Sequence, residues 1–346
     1  MKLPSLAIFE GSRTIGKSRK FWSVFIILLI FTLIYPLIVG SYTVFQTTVY
    51  FVWVILALSL TLIWGYTGIF SFGQTAFFGL GGYLFGIIAG NLIEITGTTN
   101  IAFVSGIVGP AIFAAIIGYF LFYGRVSGVY VAIITLCITL VLELIFRSTG
   151  NFSIGEVTLG GYNGLNRVEG LTFGIGEASF SLGPIARYYF VVLILLSLYL
   201  GLRYILNSNF GYVLVAIRED EERTEMLGYD VRKIKMKVFT ISGAIAGLAG
   251  VLFVSWGSFI NPTVMGLTTA ALPVIWITIG GRETLIGSII AAFGLQYIDT
   301  SLSSVSNEYS ILVLGLILVV SILVFPRGIV PKIMENIDKG EKNAKN

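Results

Sequence analysis

The chain is built from long apolar stretches that contain no charged residue. Residues 21–93 include no Asp, Glu, Lys or Arg, and residues 238–281 are free of charge in the same way. One crossing of a lipid bilayer needs about 20 apolar residues, and a soluble core does not use apolar runs as long as these. The pattern therefore predicts an integral membrane protein. Because backbone N–H and C=O groups in lipid need internal partners, each crossing is expected to be an α-helix.

Ten crossings fit this pattern and predict an all-α, polytopic fold. The third crossing is rich in glycine and the eighth is short. The predicted spans are 21–40, 45–64, 69–90, 102–123, 129–146, 188–206, 237–257, 266–281, 284–300 and 309–325. A polar segment, 147–187, separates the first five spans from the last five and is long enough for a short helix or a hairpin. This division predicts two halves of five helices each.

Lys and Arg residues are concentrated in three segments, the N-terminal residues 1–20, the loop 207–237 and the tail 326–346. Ten crossings put all three on one side of the membrane domain 21–325, and the positive-inside rule makes that side the cytoplasm. Segment 147–187 then lies outside. The other outer loops, which carry no Lys or Arg, are 41–44, 91–101, 258–265 and 301–308. The sequence predicts a multi-pass protein of the cell membrane with both termini in the cytoplasm.

Composition excludes several classes of function. Hydrophobic residues make up 56% of the 346 residues and charged residues 12%, and histidine is absent. The lack of histidine removes His-based catalytic triads, His metal sites and His proton relays. The single cysteine, Cys137, lies in an apolar run and is expected to be a small buried side chain. The net charge of +4 belongs mostly to the termini and one loop and does not indicate nucleic acid.

The stretch 65–82 combines glycines with hydroxyl and amide side chains inside a predicted span. Irregular backbone at membrane depth is tolerated where it is buried in protein or lines a water-filled cavity. One interpretation is a broken helix beside a polar solute pathway. The polar side chains of that pathway would be Thr67, Ser71, Gln74 and Thr75. The alternative is close helix packing, which the four-residue spacing of Gly82, Gly86 and Gly90 favours for the later part.

Glu143 is the one acidic residue well inside a predicted span, and Arg147 follows it at a helical i, i+4 spacing. Acidic side chains within the membrane are paired or face a polar interior because their burial in lipid is costly. Glu143 is therefore a candidate for a proton or substrate site. The alternative is an ion pair with Arg147 that orients the helix near the outer interface, and the position of Arg147 at the end of the span favours it.

The loop 209–230 has the composition of a short charged helix. Glu219 and Arg223 stand at i, i+4 spacing, and Gly228 is well placed to end the helix. Apolar residues at its ends, among them Ile217 and Leu227, would suit docking into a groove of another protein. The alternative is a solvated connection between spans, which every polytopic protein contains.

Four blocks of the sequence, in order, resemble one family of membrane proteins. They are GYTGIFSFGQTAFFG at 65–79, GVYVAIITL at 128–136 followed by Glu143, the segment 210–228, and GGRETLIG at 280–287. The chain resembles the LivM-type permeases of branched-chain amino acid ABC importers and their relatives in urea and amide uptake. The resemblance covers about residues 50–325. It departs from the family pattern at Arg223-Thr224, at Met226, at Gln74 where histidine is common, and in the spacing of Arg147.

The resemblance implies a type II-like permease subunit that is not itself an enzyme and that holds no metal or cofactor. The pattern Gly-x-x-x-x-Gly-Lys-Ser/Thr occurs at residues 11–18, but the short segment before the first predicted span has no room for the strand–loop–helix unit of an ATP-binding domain. ATP would therefore be handled by separate cytoplasmic ATP-binding subunits. A second permease subunit and an extracytoplasmic solute-binding protein would complete the importer, which would be surrounded by membrane lipid. The residues implied in coupling to the ATPase are Ala216, Ile217, Arg218, Glu219, Glu225, Leu227 and Gly228.

Two other functions remain open at the level of sequence. A secondary carrier would couple transport to an ion through Glu143 and would need no ATPase. A membrane-embedded enzyme would need a nucleophile and base or a cluster of acidic residues, which the sequence does not offer. The substrate is also open, because a weakly polar path suits a branched-chain or other amino acid, or urea and amides.

Overall fold

The computed structural model describes residues 19–175, 178–303, 307–324 and 328–332, and helices dominate it. A helix lies at each of the ten predicted positions, and two short helices occupy the loop 209–230. The helices are α1 Arg19–Ile38, α2 Ser41–Leu60, α3 Gln74–Thr96, α4 Asn100–Tyr123, α5 Val129–Ser148, α6 Pro184–Asn207, α7 Asn209–Glu219, α8 Glu221–Met226, α9 Val231–Gly257, α10 Leu267–Gly280, α11 Leu285–Ser303 and α12 Asn307–Val324.

Eight of the described helices are long and apolar enough to cross a membrane, and α10 is a shorter apolar helix. The predicted polytopic, all-α fold is confirmed. The third span differs from its prediction because its helix begins at Gln74 rather than at residue 69. Cys137 also differs from its prediction, since it lies on the exposed face of α5 instead of in the core. An apolar residue on the outer surface of a membrane helix is stable because its surroundings there are apolar as well.

The two halves of the chain are interleaved rather than side by side. Helix α9, from the second half, packs against α2, α3 and α4 from the first. Small residues make this possible: a Cβ on Gly250 would overlap the carbonyl oxygen of Phe78, and a Cβ on Gly247 would stand 2.8 Å from the carbonyl oxygen of Gly106. Such backbone contacts exclude any larger side chain, so α9 is the helix against which the first half of the chain packs.

Aromatic side chains fill the core next to this interface. Trp53 stacks on Phe78 with ring centroids 5.1 Å apart and meets the edge of Trp276 at 5.9 Å. Gly82 also faces a neighbour, because a Cβ there would be 2.7 Å from Val254. Packing, the alternative interpretation of the 82–90 glycine stripe, is thus what the structure shows for Gly82.

Segment 147–187 forms two hairpins and a short 3-10 helix, Gly161–Asn163, over one end of the helices, so both predicted possibilities occur. Its strands are β1 Ser153–Ile154, β2 Val157–Thr158, β3 Leu165–Asn166, β4 Thr172–Ile175 and β5 Ala178–Ser181, and β6 Phe259–Ile260 lies between α9 and α10. β1 pairs with β2, β4 with β5, and β3 with β6, all antiparallel. We call this end the hairpin face. We call the opposite end, which carries α7, α8, Arg125 and Arg282, the basic face.

Candidate functional site

The helix that the sequence predicts to be broken is broken between α2 and α3. A π-helical turn, Thr61–Gly65, ends α2, and no regular helix spans residues 68–72. Two glycines shape this break segment, residues 65–73: a Cβ on Gly65 would overlap the carbonyl oxygen of Arg282, and Gly68 has a left-handed φ of 76°. Side chains larger than hydrogen are strained at such positions, so the glycines fix where the helix stops.

The break segment and the first turn of α3 hold four of the five predicted pathway residues. Each of these four side chains is at most 2% exposed. They are Thr67, Ser71, Gln74 and Thr75. Ser71 accepts a hydrogen bond from the backbone N–H of Gly73 at 3.0 Å, which tightens the turn into α3. The structure brings the four together, and their role in solute passage stays a prediction.

Gln74 joins three helices through its amide group. One end of the amide lies 2.9 Å from Ser59 Oγ on α2 and 3.1 Å from Ser242 Oγ on α9. Both serine hydroxyls also lie 2.6 Å from backbone carbonyls, of Leu56 and Ser59, to which each can donate its single proton. The amide end that faces the serines is then best assigned as the NH₂ group, which donates to both. The amide carbonyl of Gln74 becomes the free atom.

Two buried polar atoms near the start of α3 therefore have no protein partner among the described residues. They are the outward atom of the Gln74 amide and the hydroxyl of Thr75. A buried polar group without a partner costs about 1–3 kcal/mol, so such groups are rare in a well-packed core. Their presence at the helix break makes this a region where a polar molecule has partners to gain.

Helix α5 holds the break segment from the other side. Thr135 Oγ1 accepts a hydrogen bond from the N–H of Phe72 at 3.1 Å, and Thr139 Oγ1 lies 3.3 Å from its carbonyl oxygen. The two threonines are one helical turn apart, so they present both hydroxyls to the backbone of a single residue, Phe72. We call this arrangement the threonine clip.

Glu143 continues the same face of α5, one turn beyond Thr139. It forms an ion pair with Arg147 at 2.6 Å, as the sequence predicts for the structural alternative. Its carboxylate also lies beside Gly266, the residue that precedes α10. Negative charge at a helix N-terminus is favourable. The guanidinium of Arg147 in turn lies over the ring of Tyr162, 5.3 Å from its centroid. The side chains of Glu143, Arg147 and Tyr162 thus connect α5 to the hairpin face.

A cleft of about 190 Å³ opens on the basic face. Its walls come from the break segment, the α4–α5 connection, α7, α8 and the start of α9. Thr67 is the predicted pathway residue that lines it. Arg218 and Ile217 line it from the loop 209–230, which we call the coupling loop after its predicted role. Lys235 and Glu221 form an ion pair at its edge, and neither was singled out from the sequence. Their separation of 14 residues gives no helical spacing that could have revealed the pair.

The coupling loop forms two helices, where the sequence predicted one. The chain turns at Asp220, whose side chain caps α8 by accepting the N–H of Arg223 at 2.9 Å. The predicted i, i+4 pair of Glu219 with Arg223 is therefore wrong, because the helix is interrupted between them. Glu219 instead pairs with its neighbour Arg218 at 2.6 Å. Aspartate is a strong helix N-cap, and this signal in the sequence competes with the i, i+4 spacing.

Some of the predicted coupling residues point into the protein, and others are exposed to the surroundings. Ile217 is 3% exposed and packs into the core together with Leu214, and Ala216 is half-buried. Glu225 and Leu227 are exposed, and Gly228, with φ of 91°, ends α8. Leu227 is 72% exposed and its neighbour Met226 85%, an apolar tip on an otherwise charged segment. Arg218 points inward, and its Nη1 donates to the carbonyl oxygen of Gly65 at 2.7 Å.

The connection from α8 to α9 is fixed by charged residues. Asp230 caps α9 by accepting the backbone N–H of Lys233 at 3.1 Å, and its carboxylate pairs with the Lys233 ammonium at 2.9 Å. Hydrogen bonds from the side chain and the backbone of Lys233 hold the pKa of Asp230 below its usual value. Arg232 reaches back to Glu225 at 3.4 Å. The apolar tip is therefore next to a turn that these ion pairs and the helix cap hold in place, which we call the braced turn.

Within the described ranges, no three His, Cys, Asp or Glu side chains form a possible metal site.

Comparison with known proteins gives one consistent family. The model of the family described as "Branched-chain amino acid transport system / permease component" matches residues 42–322. The high-affinity branched-chain amino acid transport system permease protein LivM of Escherichia coli K12 is 29% identical over 343 residues, which cover 91% of this chain and 77% of that protein. LivM of Salmonella typhimurium LT2 is 28% identical over 88% of this chain and 73% of its own length.

A sugar permease is also similar in sequence, at lower identity and over a shorter stretch. The ribose import permease protein RbsC of Escherichia coli K12 is 25% identical over 249 residues, 70% of this chain and 73% of that protein. No solved structure matches the chain.

Proposed function

The chain belongs to the family of permease components of branched-chain amino acid transport systems, and from this membership we propose that it carries branched-chain amino acids inward in an ATP-driven importer. It is a multi-pass membrane protein with no catalytic function of its own in this proposal. Two cytoplasmic ATP-binding subunits hydrolyse ATP, a second permease subunit completes the pore, and an extracytoplasmic binding protein delivers the solute. The basic face is then cytoplasmic, in agreement with the positive-inside rule.

The apolar tip of the coupling loop carries the proposal. Met226 and Leu227 are largely exposed on the basic face, next to charged residues of α8 and Tyr229. Exposed apolar side chains with a polar rim are typical of a protein interface, where burial in a partner's pocket is favourable. The braced turn around Asp230 holds the tip at a fixed angle. We propose that the ATP-binding subunit receives this tip.

The break between α2 and α3 supports the proposed pathway. Thr67, Ser71, Gln74 and Thr75 lie there, and the unpartnered atoms of Gln74 and Thr75 can hydrogen-bond a passing polar solute. They are buried, so the proposal requires the break segment to move before solute reaches them. Residues without charge suit a zwitterionic amino acid, whose net charge is zero. Urea or another amide would suit them as well, and competition between the solutes separates these substrates.

Glu143 has no part in ion coupling in this proposal. Its carboxylate is committed to Arg147 and lies beside the start of α10, a structural arrangement. An ion-coupled carrier would need this acid to release its partner in each cycle. The secondary-carrier alternative therefore predicts an essential Glu143, and the importer predicts a dispensable one.

The experiment is a pull-down of the tagged chain from its native membrane, with the bound proteins identified by mass spectrometry. The wild-type chain is expected to bring down a subunit that contains a P-loop motif. Leu227→Asp is expected to lose it, because a charge at the apolar tip is not accommodated in an apolar pocket. Leu227→Met, which keeps the tip apolar, is the matched control and is expected to retain the subunit. Recovery of the subunit by Leu227→Asp at the wild-type level would remove the docking role from the tip.

A further inference from the structure

Arg218 occupies a junction between the coupling loop and two distant parts of the chain. Its guanidinium donates to the carbonyl oxygen of Gly65 at 2.7 Å and pairs with Glu283 at 3.2 Å. The opposite edge of the same group pairs with Glu219 at 2.6 Å. One side chain thus joins the last turn of α7 to the end of α2 and to the turn between α10 and α11.

We infer that Arg218 is a positioning residue that transmits the movement of α7 and α8 to the break segment, and that it does not contact the ATP-binding subunit. The inference rests on the proposed function, because it assumes that an ATPase moves the coupling helices. It divides the predicted coupling residues into two classes. Leu227 belongs to the docking class and Arg218 to the transmitting class.

Exposure separates the two classes. The Arg218 side chain is 20% exposed, while Leu227 is 72% exposed at the tip of the following helix. The guanidinium is satisfied by acceptors within the permease, so a partner would have to break bonds in order to bind it. A partner that takes the apolar tip would break none.

The backbone around Arg218 is tightly packed as well as hydrogen-bonded. Gly65 meets the backbone of Arg282, and a Cβ on Gly68 would stand 3.1 Å from Cγ of Arg218. Both glycines lie in the break segment, on either side of Tyr66 and Thr67. A displacement of α7 therefore acts on the break segment through van der Waals contact as well as through the hydrogen bond to Gly65.

The type of side chain matters at this position. Arginine presents several N–H donors in one rigid plane, so it can hold Gly65, Glu283 and Glu219 at the same time. Lysine has a single flexible ammonium group and cannot reproduce that fork. A role in charge alone would be kept by lysine, whereas a role in positioning would not.

The far end of the break segment is held by the threonine clip at Phe72. The segment is therefore attached to the coupling helices at Gly65 and Gly68 and to α5 at Phe72. Pathway residues Thr67 and Ser71 lie between these attachments. Movement of the first attachment relative to the second would change the surroundings of both pathway residues.

The test uses the complete importer, with binding protein and ATP-binding subunits, reconstituted in liposomes. The measurement is the ratio of ATP hydrolysis with solute-loaded binding protein to hydrolysis without it, beside pull-down of the ATP-binding subunit. Arg218→Gln is expected to pull down the subunit normally while this ratio falls about tenfold, a typical size for coupling between two sites. Arg218→Lys is expected to fall nearly as far, and Glu283→Gln less, because it leaves the bond to Gly65.

Arg125→Gln is the matched control, since it removes one exposed positive charge from the same face. It is expected to keep the wild-type ratio. Loss of the ATP-binding subunit by Arg218→Gln, as by Leu227→Asp, would assign Arg218 to docking and overturn the inference. A wild-type ratio in Arg218→Gln would overturn it as well, and full rescue by lysine would leave only a charge effect. Failure of the wild-type chain to bind any ATP-binding subunit would instead overturn the proposed function.

Discussion

The interface of α3, α4 and α9 and the break between α2 and α3 join helices in opposite ways. At the interface, glycines bring backbones into direct contact, as Gly250 does with Phe78. At the break, hydrogen bonds attach both ends of the segment: Arg218 donates to the carbonyl oxygen of Gly65, and the N–H of Phe72 donates to Thr135, beside the close contacts of Gly65 and Gly68. Close-packed backbones have one arrangement, whereas bonds with a net worth of about 1 kcal/mol each can exchange partners. We therefore expect α3, α4 and α9 to behave as one rigid unit and the neighbouring break segment to move during transport.

The largest effect is expected at the rigid interface. Gly250→Ala places a methyl group on the carbonyl oxygen of Phe78, and neither backbone can yield cheaply. Overpacking of this kind is expected to lower the free energy of unfolding by about 3 kcal/mol. The measurement is the thermal unfolding temperature of the purified protein in detergent. Gly294→Ala is the control, because a Cβ on Gly294 meets nothing within 4 Å. Equal unfolding temperatures for the two variants would show that the interface is not tightly packed.

An intermediate effect is expected at the break segment. Thr135→Val combined with Thr139→Val removes both hydroxyls of the threonine clip and leaves the N–H of Phe72 without its acceptor. Transport is expected to slow by about tenfold, which corresponds to roughly 1.4 kcal/mol. The unfolding temperature should fall less than in Gly250→Ala, because no backbone contact is lost.

Thr278→Val is the control for the clip, since the Thr278 hydroxyl bonds only within its own helix, to Val274, among the described residues. Its transport rate is expected to match that of the wild type. A loss of transport in Thr278→Val equal to that of the clip variant would mean that threonine hydroxyls in general, and not the break segment, set the rate.

Much of this architecture follows from the sequence. The charge-free runs locate the helices because bilayer crossing requires them, and the glycines of 65–73 locate the break because Gly65 and Gly68 occupy positions that other residues do not tolerate. The contacts of Gln74 with Ser59 and Ser242 do not follow, because 168 residues separate Gln74 from Ser242. No local spacing encodes such a meeting, which depends on how α9 inserts among the first-half helices.

The coupling loop shows a second limit. The i, i+4 spacing predicted an ion pair between Glu219 and Arg223. The pair does not form, because the chain turns at Asp220, which caps α8. The direction of Arg218 was equally hidden, because its acceptors Gly65 and Glu283 come from distant parts of the chain. The first failure is local, because the N-cap at Asp220 outweighs the i, i+4 spacing, and the second concerns tertiary contacts, which no local spacing encodes.

The smallest effect is expected at Glu143. Glu143→Gln removes the charge of a buried carboxylate whose partner, Arg147, is partly exposed, and it keeps the shape and hydrogen-bonding capacity of the side chain. Because Arg147 stays partly solvated, we expect a loss close to that of an exposed pair, about 0.2–1 kcal/mol, and transport within about threefold of the wild-type rate. The measurement is solute uptake by the reconstituted importer. A collapse of uptake in this variant would favour an ion-coupled carrier over an ATP-driven importer.

The most direct measurement of the central claim is uptake of radiolabelled leucine into liposomes that contain the purified complex, with and without ATP on the side of the basic face. The importer predicts uptake that requires both ATP and the solute-binding protein, and that unlabelled isoleucine or valine inhibits more strongly than urea or ribose. Leucine uptake by this chain alone, driven by an ion gradient and unaffected by ATP, would contradict the account.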